Sequence, residues 1–242
     1  MKHIKMFDRL TFVTFVTLLF IFIVIYLIYI NYRMNLFVCP SDCRTIQNKD
    51  ICILFTMYNT AQRQDMTDIV LHYYIECLRF PINNIFIVDS ANRGVRQLPK
   101  SQQVIFDQDE ICEYKSNSST LEMCSLKQAA LHLPQIASKA YIFKLTCKYK
   151  LPELGDIYPS KPLIIQHLEN PARNWQNTEL WGVRGDLFSE FVHDLNWNES
   201  AETNLMEHRF WKVIQKYDYQ RFPPMKNIAK FKRGIGDILT EL

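Results

Sequence analysis

Glycine is scarce in this chain, six residues among 242, and neither G-x-G-x-x-G nor G-x-x-x-x-G-K-[ST] occurs. Without those backbone cradles, dinucleotide dehydrogenases and P-loop enzymes, typical sulfotransferases among them, are set aside. A G-x-S-x-G elbow and an H-E-x-x-H pair are also missing, which removes the usual serine-hydrolase and zincin arrangements. The six histidines are scattered, and His72 and His132 fall within helical patterns, where surface or core-edge roles are expected. Cys39 and Cys43 have no second cysteine or histidine pair at finger-like spacing, so zinc is not indicated. Internal repeats and low-complexity tracts are absent.

Charge is missing altogether from residues 10–30, LTFVTFVTLLFIFIVIYLIYI. As a helix this run would extend about 30 Å, the thickness of a bilayer's hydrocarbon core. It is longer than the apolar part of a cleaved signal peptide and lacks a small-residue cleavage site after it. Lys2, Lys5 and Arg9 precede it, and only Arg33 follows closely. The positive-inside bias therefore predicts a cytoplasmic tail (1–9), a transmembrane anchor (10–30), a stem (31–49) and a domain (50–242) on the far side, a type II arrangement. Without residues 1–9 the chain holds 25 basic against 24 acidic residues, so its basic pI gives no support to a nucleic-acid partner.

In that orientation the seven cysteines would meet an oxidising compartment, with a stem disulfide expected and at least one cysteine left over. The sequons Asn117-Ser118-Ser119 and Asn198-Glu199-Ser200 are candidate glycosylation sites there.

From residue 50 onward, short apolar runs alternate with longer amphipathic ones. ICILF (51–55), NIFIVD (84–89), QVIF (103–106), YIFKL (141–145) and PLIIQHL (162–168) read as strands; 66–80, 120–133 and a late segment between 201 and 216 read as helices. Ser118, Ser119 or Thr120 is the expected cap of the middle helix. The alternation predicts an α/β domain built on an open, mostly parallel sheet flanked by helices.

Ligands of such sheets bind beyond the carboxyl ends of the strands. The strand-end residues to watch are Thr56, Tyr58 and Asn59; Asp89 and Ser90; Asp107 to Glu110; and Lys144 to Tyr149. Asp107-Gln108-Asp109 has the spacing of a paired-carboxylate metal site. Its plain alternative is a solvated strand end in which Asp107 turns the chain through side-chain hydrogen bonds.

The segment YIFKLTCKYKLPEL resembles a motif of the form K-[IL]-T-G-R-Y. That motif belongs to a group of glycosyltransferase-like proteins with the nucleotide-diphospho-sugar transferase (GT-A) fold. Lys144, Leu145, Thr146 and Tyr149 match, Cys147 stands in place of Gly, and Lys148 in place of Arg. The resemblance extends to IFIVDSAN, to SSTLEMCSLKQAAL with an acidic residue near the start of its helix, and to MEHRFW and FPPMK, and so covers most of residues 50–240.

The resemblance implies a GT-A-like domain that binds a nucleotide sugar and transfers the sugar to a glycan, protein or lipid acceptor. It implies a Golgi or ER membrane, with the domain in the lumen. Counting strands, it puts the usual metal position at Lys144 to Thr146, so Lys144 and Lys148 are expected to contact the diphosphate and Thr146 to donate a hydrogen bond. No cofactor is then required; the alternative is Mn2+ or Mg2+ at Asp107 and Asp109. Thr56, Tyr58 and Asn59 are candidates for holding the base or ribose, with Asp89 and Ser90 assisting.

For an inverting transfer the resemblance puts the general base at Glu207, with Glu202 second; either can equally be a surface carboxylate. Trp175, Trp181, Trp197 and Trp211 suit sugar faces or a second core, and the core reading comes first. Arg184 is a candidate for an anionic group. The alternative function is a catalytically silent, membrane-anchored binding or scaffold protein of the same fold.

Overall fold

The computed structural model describes residues 2–36, 50–113, 117–166, 169–195, 205–223 and 229–230. The chain divides into two compact units, Met1–Pro40 and Ser41–Leu242.

The first unit is one helix, α1 (Lys2–Leu36). Its segment Val13–Asn31 has a mean hydropathy of 2.8 and is long and apolar enough to cross a membrane. Thr17, a polar residue in that segment, donates its hydroxyl to the carbonyl of Val13 at 2.9 Å, which satisfies it within the helix.

In the second unit the elements follow in the expected alternation: β1 (Ile51–Met57), α2 (Gln64–His72), β2 (Ile85–Asp89), β3 (Gln103–Ile105), α3 (Gln108–Ile111), α4 (Ser118–His132), β4 (Tyr141–Thr146) and β5 (Tyr149–Lys150). Then come β6 (Leu163–Ile165), β7 (Glu169–Asn170), β8 (Trp175–Gln176), β9 (Leu180–Arg184), α5 (Phe188–Asp194), α6 (Met206–Ile214), β10 (Tyr219–Arg221) and β11 (Ala229–Lys230).

Seven strands form the main sheet in the order β10-β6-β9-β4-β1-β2-β3. Neighbours run parallel except at β9, which is antiparallel to both β4 and β6. The expected α/β architecture is therefore present, an open, mostly parallel sheet flanked by helices.

Period-two alternation sorts the strand residues onto two faces. Ile51, Ile53, Phe55 and Met57 of β1, with Tyr141, Phe143 and Leu145 of β4, pack with Val70, Leu71, Tyr73 and Tyr74 in one core. Cys52 and Leu54 of β1 and Ile142 of β4 join the other, against Met123, Leu126 and Ala129 of α4 and residues of α5 and α6. Both cores bury nearly continuous apolar strands, as a sheet covered on both faces requires.

Two helix ends differ from the sequence expectation. The expected helix 66–80 is α2 followed by a π-helical turn, Tyr73–Cys77, in which Leu78 N–H reaches the Tyr73 carbonyl at 3.0 Å. At the start of α4 the cap is Asn117: its side chain accepts from Thr120 N–H at 3.0 Å, while Thr120 Oγ1 accepts from Asn117 N–H at 3.3 Å. The carboxamide acceptor fits the N-cap geometry, so the hydroxyl residues at 118–120 enter the helix.

The late helix keeps Met206, Phe210, Val213 and Ile214 buried at helical spacing. Residues 201–204 of the expected late helix, and the expected stem pair Cys39 and Cys43, lie outside the described residues.

Candidate functional site

From β1 the chain steps outward to β2 and β3 and then returns to lay β4 on the other side of β1. That reversal opens a crevice beyond the carboxyl ends of the parallel strands. A cleft of about 410 Å³ lies there. Its walls include Thr56 and Tyr58 from the end of β1, Ser90 after β2, Gln108 after β3, Thr146 at the end of β4, Lys148 just beyond it, and Glu207 from the first turn of α6. Residues separated by as many as 151 positions in sequence thus meet at one point.

Within the sheet, Thr56 and Thr146 are register partners. The β4 row that carries Thr146 also carries Ile142 and Lys144, so Lys144 enters a face otherwise packed with apolar groups. It is fully buried between its register partners Leu54 and Trp181. A buried ammonium demands a counter-charge, and Glu122 of α4 supplies it through an ion pair. The ammonium also donates to the Thr178 carbonyl at 2.8 Å. Glu122 lines the cleft and Thr56 Oγ1 donates to it at 3.5 Å, whereas Lys144 lies beneath the lining, with its charge already bonded.

Lys148 takes a different place. The strand ends at Thr146, a tight turn brings Lys148 N–H onto the Thr146 carbonyl at 2.7 Å, and the side chain reaches the cleft. There it pairs with Glu179, which also accepts from the Tyr149 hydroxyl. Cys147, between the two lysines in the turn, projects into the opposite core. Burial first, and then the carboxylates of Asp89 and Asp68, push its thiol well above the usual range, which makes it an inert packing group.

Asp89 and Asn59 are buried and tie two loops together. The Asp89 carboxylate accepts four backbone N–H groups, from Asn59 at 2.9 Å, Ala91 at 3.1 Å, Arg93 at 3.1 Å and Gly94 at 2.7 Å. Asn59 donates its side chain to Gly94 O at 2.9 Å and Gln64 Oε1 at 3.0 Å. These bonds fix the loop that carries Tyr58 and Arg63, and neither Asp89 nor Asn59 lines the cleft. Gly94, at φ +67°, is a backbone that few other residues adopt.

Asp107 caps α3 by accepting from Asp109 N–H at 2.8 Å, and neither carboxylate lines the cleft. Among the described residues no three His, Cys, Asp or Glu side chains converge as a metal site. An ion-paired lysine stands at the position the resemblance assigns to a metal.

Glu207 lines the cleft, and its Oε2 is buried with no hydrogen-bond partner among the described residues. A buried, unbonded carboxylate oxygen is costly unless a ligand completes it. Glu202, Asn198 and Trp197 lie outside the described residues. Trp181 belongs to the core, in contact with Phe191 and Phe210, and Trp211 packs against the same core. Arg184 stands at the other end of β4, opposite Tyr141 in register, paired with Asp186 at 2.6 and 2.9 Å.

Sequence reasoning passed over Arg63, Ser118, Ser119, Ser125 and Glu179 as lining residues. For Glu122 a signal existed: a lysine in the inward row of a central strand requires a carboxylate, and an acid near the start of α4 was at hand. For Glu179 and Arg63 there was no comparable local signal.

No family model matches the chain, and no curated protein matches it significantly.

Proposed function

We propose that the protein is a membrane-anchored glycosyltransferase of GT-A-like fold. It would carry a sugar from a nucleotide-sugar donor to a glycan, protein or lipid acceptor, without a metal, on the lumenal side of a Golgi or ER membrane. The observation that carries this reading is Glu207, whose unpartnered carboxylate oxygen shares a cleft with the strand-end residues Thr56, Tyr58, Ser90, Thr146 and Lys148. The switch-point position of that cleft supports it independently, as does the α1 segment that is apolar enough to serve as anchor.

In the proposed reaction the acceptor hydroxyl attacks the anomeric carbon as the bond from that carbon to the diphosphate oxygen breaks. The electron pair leaves with the diphosphate, and the acceptor proton passes to Glu207. Thr56, Ser90 and Thr146 bring hydroxyls to the cleft wall, and Tyr58, 39% exposed, offers a ring for stacking on a base. Lys144 serves in this scheme by orienting Glu122 from below.

A second reading, a catalytically silent binding or scaffold protein, draws on one observation: Lys144 and Lys148 are both already bonded to carboxylates.

Purified full-length protein in detergent, titrated with a panel of nucleoside diphosphates and nucleotide sugars with and without Mn2+, tests both. A ligand at about 100 times its Kd should stabilise the fold by about 2.7 kcal/mol. Release of nucleoside diphosphate from one donor should fall about 100-fold or more in Glu207→Gln, with the melting temperature unchanged or raised. If no nucleotide shifts the melting temperature, the transferase reading is lost. A shift without any turnover favours the silent protein, and strict Mn2+ dependence abolished by Asp109→Ala would refute the metal-free site.

A further inference from the structure

The cleft is lined by two cations and three carboxylates, Arg63 and Lys148 against Glu122, Glu179 and Glu207. Two of the carboxylates are spoken for, Glu122 by the buried Lys144 and Glu179 by Lys148. What remains among the described lining residues is one cation, Arg63, and one anion, Glu207, each without an ion-pair partner. On the transferase reading, Glu207 faces the acceptor hydroxyl, and Arg63 is left for the anionic part of the donor.

We propose that Arg63 is the side chain that grips the diphosphate of a nucleoside-diphosphate donor in this cleft, in place of Lys144 and Lys148. The inference rests on the transferase reading and assigns it a residue that the motif did not contain. The motif has an arginine where this chain has Lys148; here a guanidinium arrives from a different element, the loop after β1. Its planar fork can bond two phosphate oxygens at once, which an ammonium already held by Glu179 does not match.

Two features hold Arg63 ready. Its guanidinium carbon lies 6.0 Å from the centre of the Tyr58 ring, so the two side chains share one wall of the cleft. The loop between them is fixed by Asn59, whose backbone N–H and side chain bond Asp89, Gly94 and Gln64. A side chain positioned before binding loses less freedom on binding. The hydroxyls of Thr146, Ser118 and Ser119 line the same cleft and can complete the oxygens that a guanidinium leaves open.

The test is calorimetric titration of full-length protein in detergent with uridine, guanosine, adenosine and cytidine diphosphates and the matching nucleosides, for wild type, Arg63→Gln and Arg63→Lys. The expected result is a diphosphate preferred over its nucleoside. Arg63→Gln should lower diphosphate affinity about 10–100-fold and leave nucleoside affinity within about twofold; Arg63→Lys should fall between. Wild-type diphosphate affinity in Arg63→Gln overturns the assignment and leaves the transferase reading standing. Equal losses for nucleoside and diphosphate also overturn it, since Arg63 would then only shape the pocket. If wild type binds none of the diphosphates, the assignment and the reading beneath it fall together. Thermal unfolding of each variant without ligand should match wild type within about 2 °C; a larger drop assigns Arg63 to the fold and overturns the proposal.

Discussion

Lys144 and Lys148 are four residues apart on one segment, and each is paired with a carboxylate that borders the same cleft, yet the two pairs are physically different. Lys144 is fully buried against a glutamate whose side chain is 23% exposed; the Lys148 pair is about one quarter exposed on both sides. The first ammonium lies between Leu54 and Trp181 and has no access to water. The second sits past the end of the strand, where water and ligands compete for it. One charge therefore holds β4 to α4, and the other belongs to the cleft's surface.

The largest effect should come from breaking the buried pair. Lys144→Ala leaves Glu122 without its counter-charge and the core with a void. It should cost about 3–5 kcal/mol, or about 10 °C in thermal unfolding. Lys144→Met with Glu122→Gln removes both charges while nearly conserving volume and should recover most of that loss. If the single variant unfolds at the wild-type temperature, the two pairs do not differ as the burial indicates.

A smaller effect comes from the residue between the two lysines. The folded state holds the Cys147 thiol above its ordinary value of 9.0, and Cys52 likewise, in both cases mainly through burial. The protonated thiol is thus favoured by folding, so this stability is fully present below about pH 9 and declines as pH rises above it. Each thiol should contribute a slope of about 1.4 kcal/mol per pH unit in that alkaline range. Cys147→Ala should remove one such contribution, seen as a shallower fall of melting temperature between about pH 9 and 10.5. An unchanged slope would mean that Cys147 is accessible to solvent, on the same side as Lys148.

The smallest effect should be Lys148→Ala. A partly exposed pair is worth under about 1 kcal/mol, so thermal unfolding should shift by no more than about 3 °C. A double-mutant cycle with Glu179→Ala isolates the pair from the second bond that Glu179 accepts from Tyr149. A coupling as large as that of Lys144 with Glu122 would erase the contrast.

The strands and helices were legible because their signals are local. ICILF and NIFIVD each carry a continuous apolar run that suits a strand covered on both faces, YIFKL does so but for Lys144, and the 3.6-residue spacing of Met206, Phe210 and Val213 marks α6. The strand-end rule located Thr56, Ser90 and Thr146 at the cleft. It also selected Asn59 and Asp89, which occupy similar chain positions but spend their bonding capacity on the loops beneath.

Sequence by itself determined the apolar N-terminal helix, the α/β alternation and the end of the sheet at which a site can form, because hydropathy and period act over a few residues. Only the tertiary structure decided which charges are free. Lys144 and Glu122 are 22 residues apart, Lys148 and Glu179 are 31 apart, and both pairings depend on how strands and helices pack across the sheet. Charge neutralisation is a property of distance in space, and that is why Arg63 stands out only once the chain is folded.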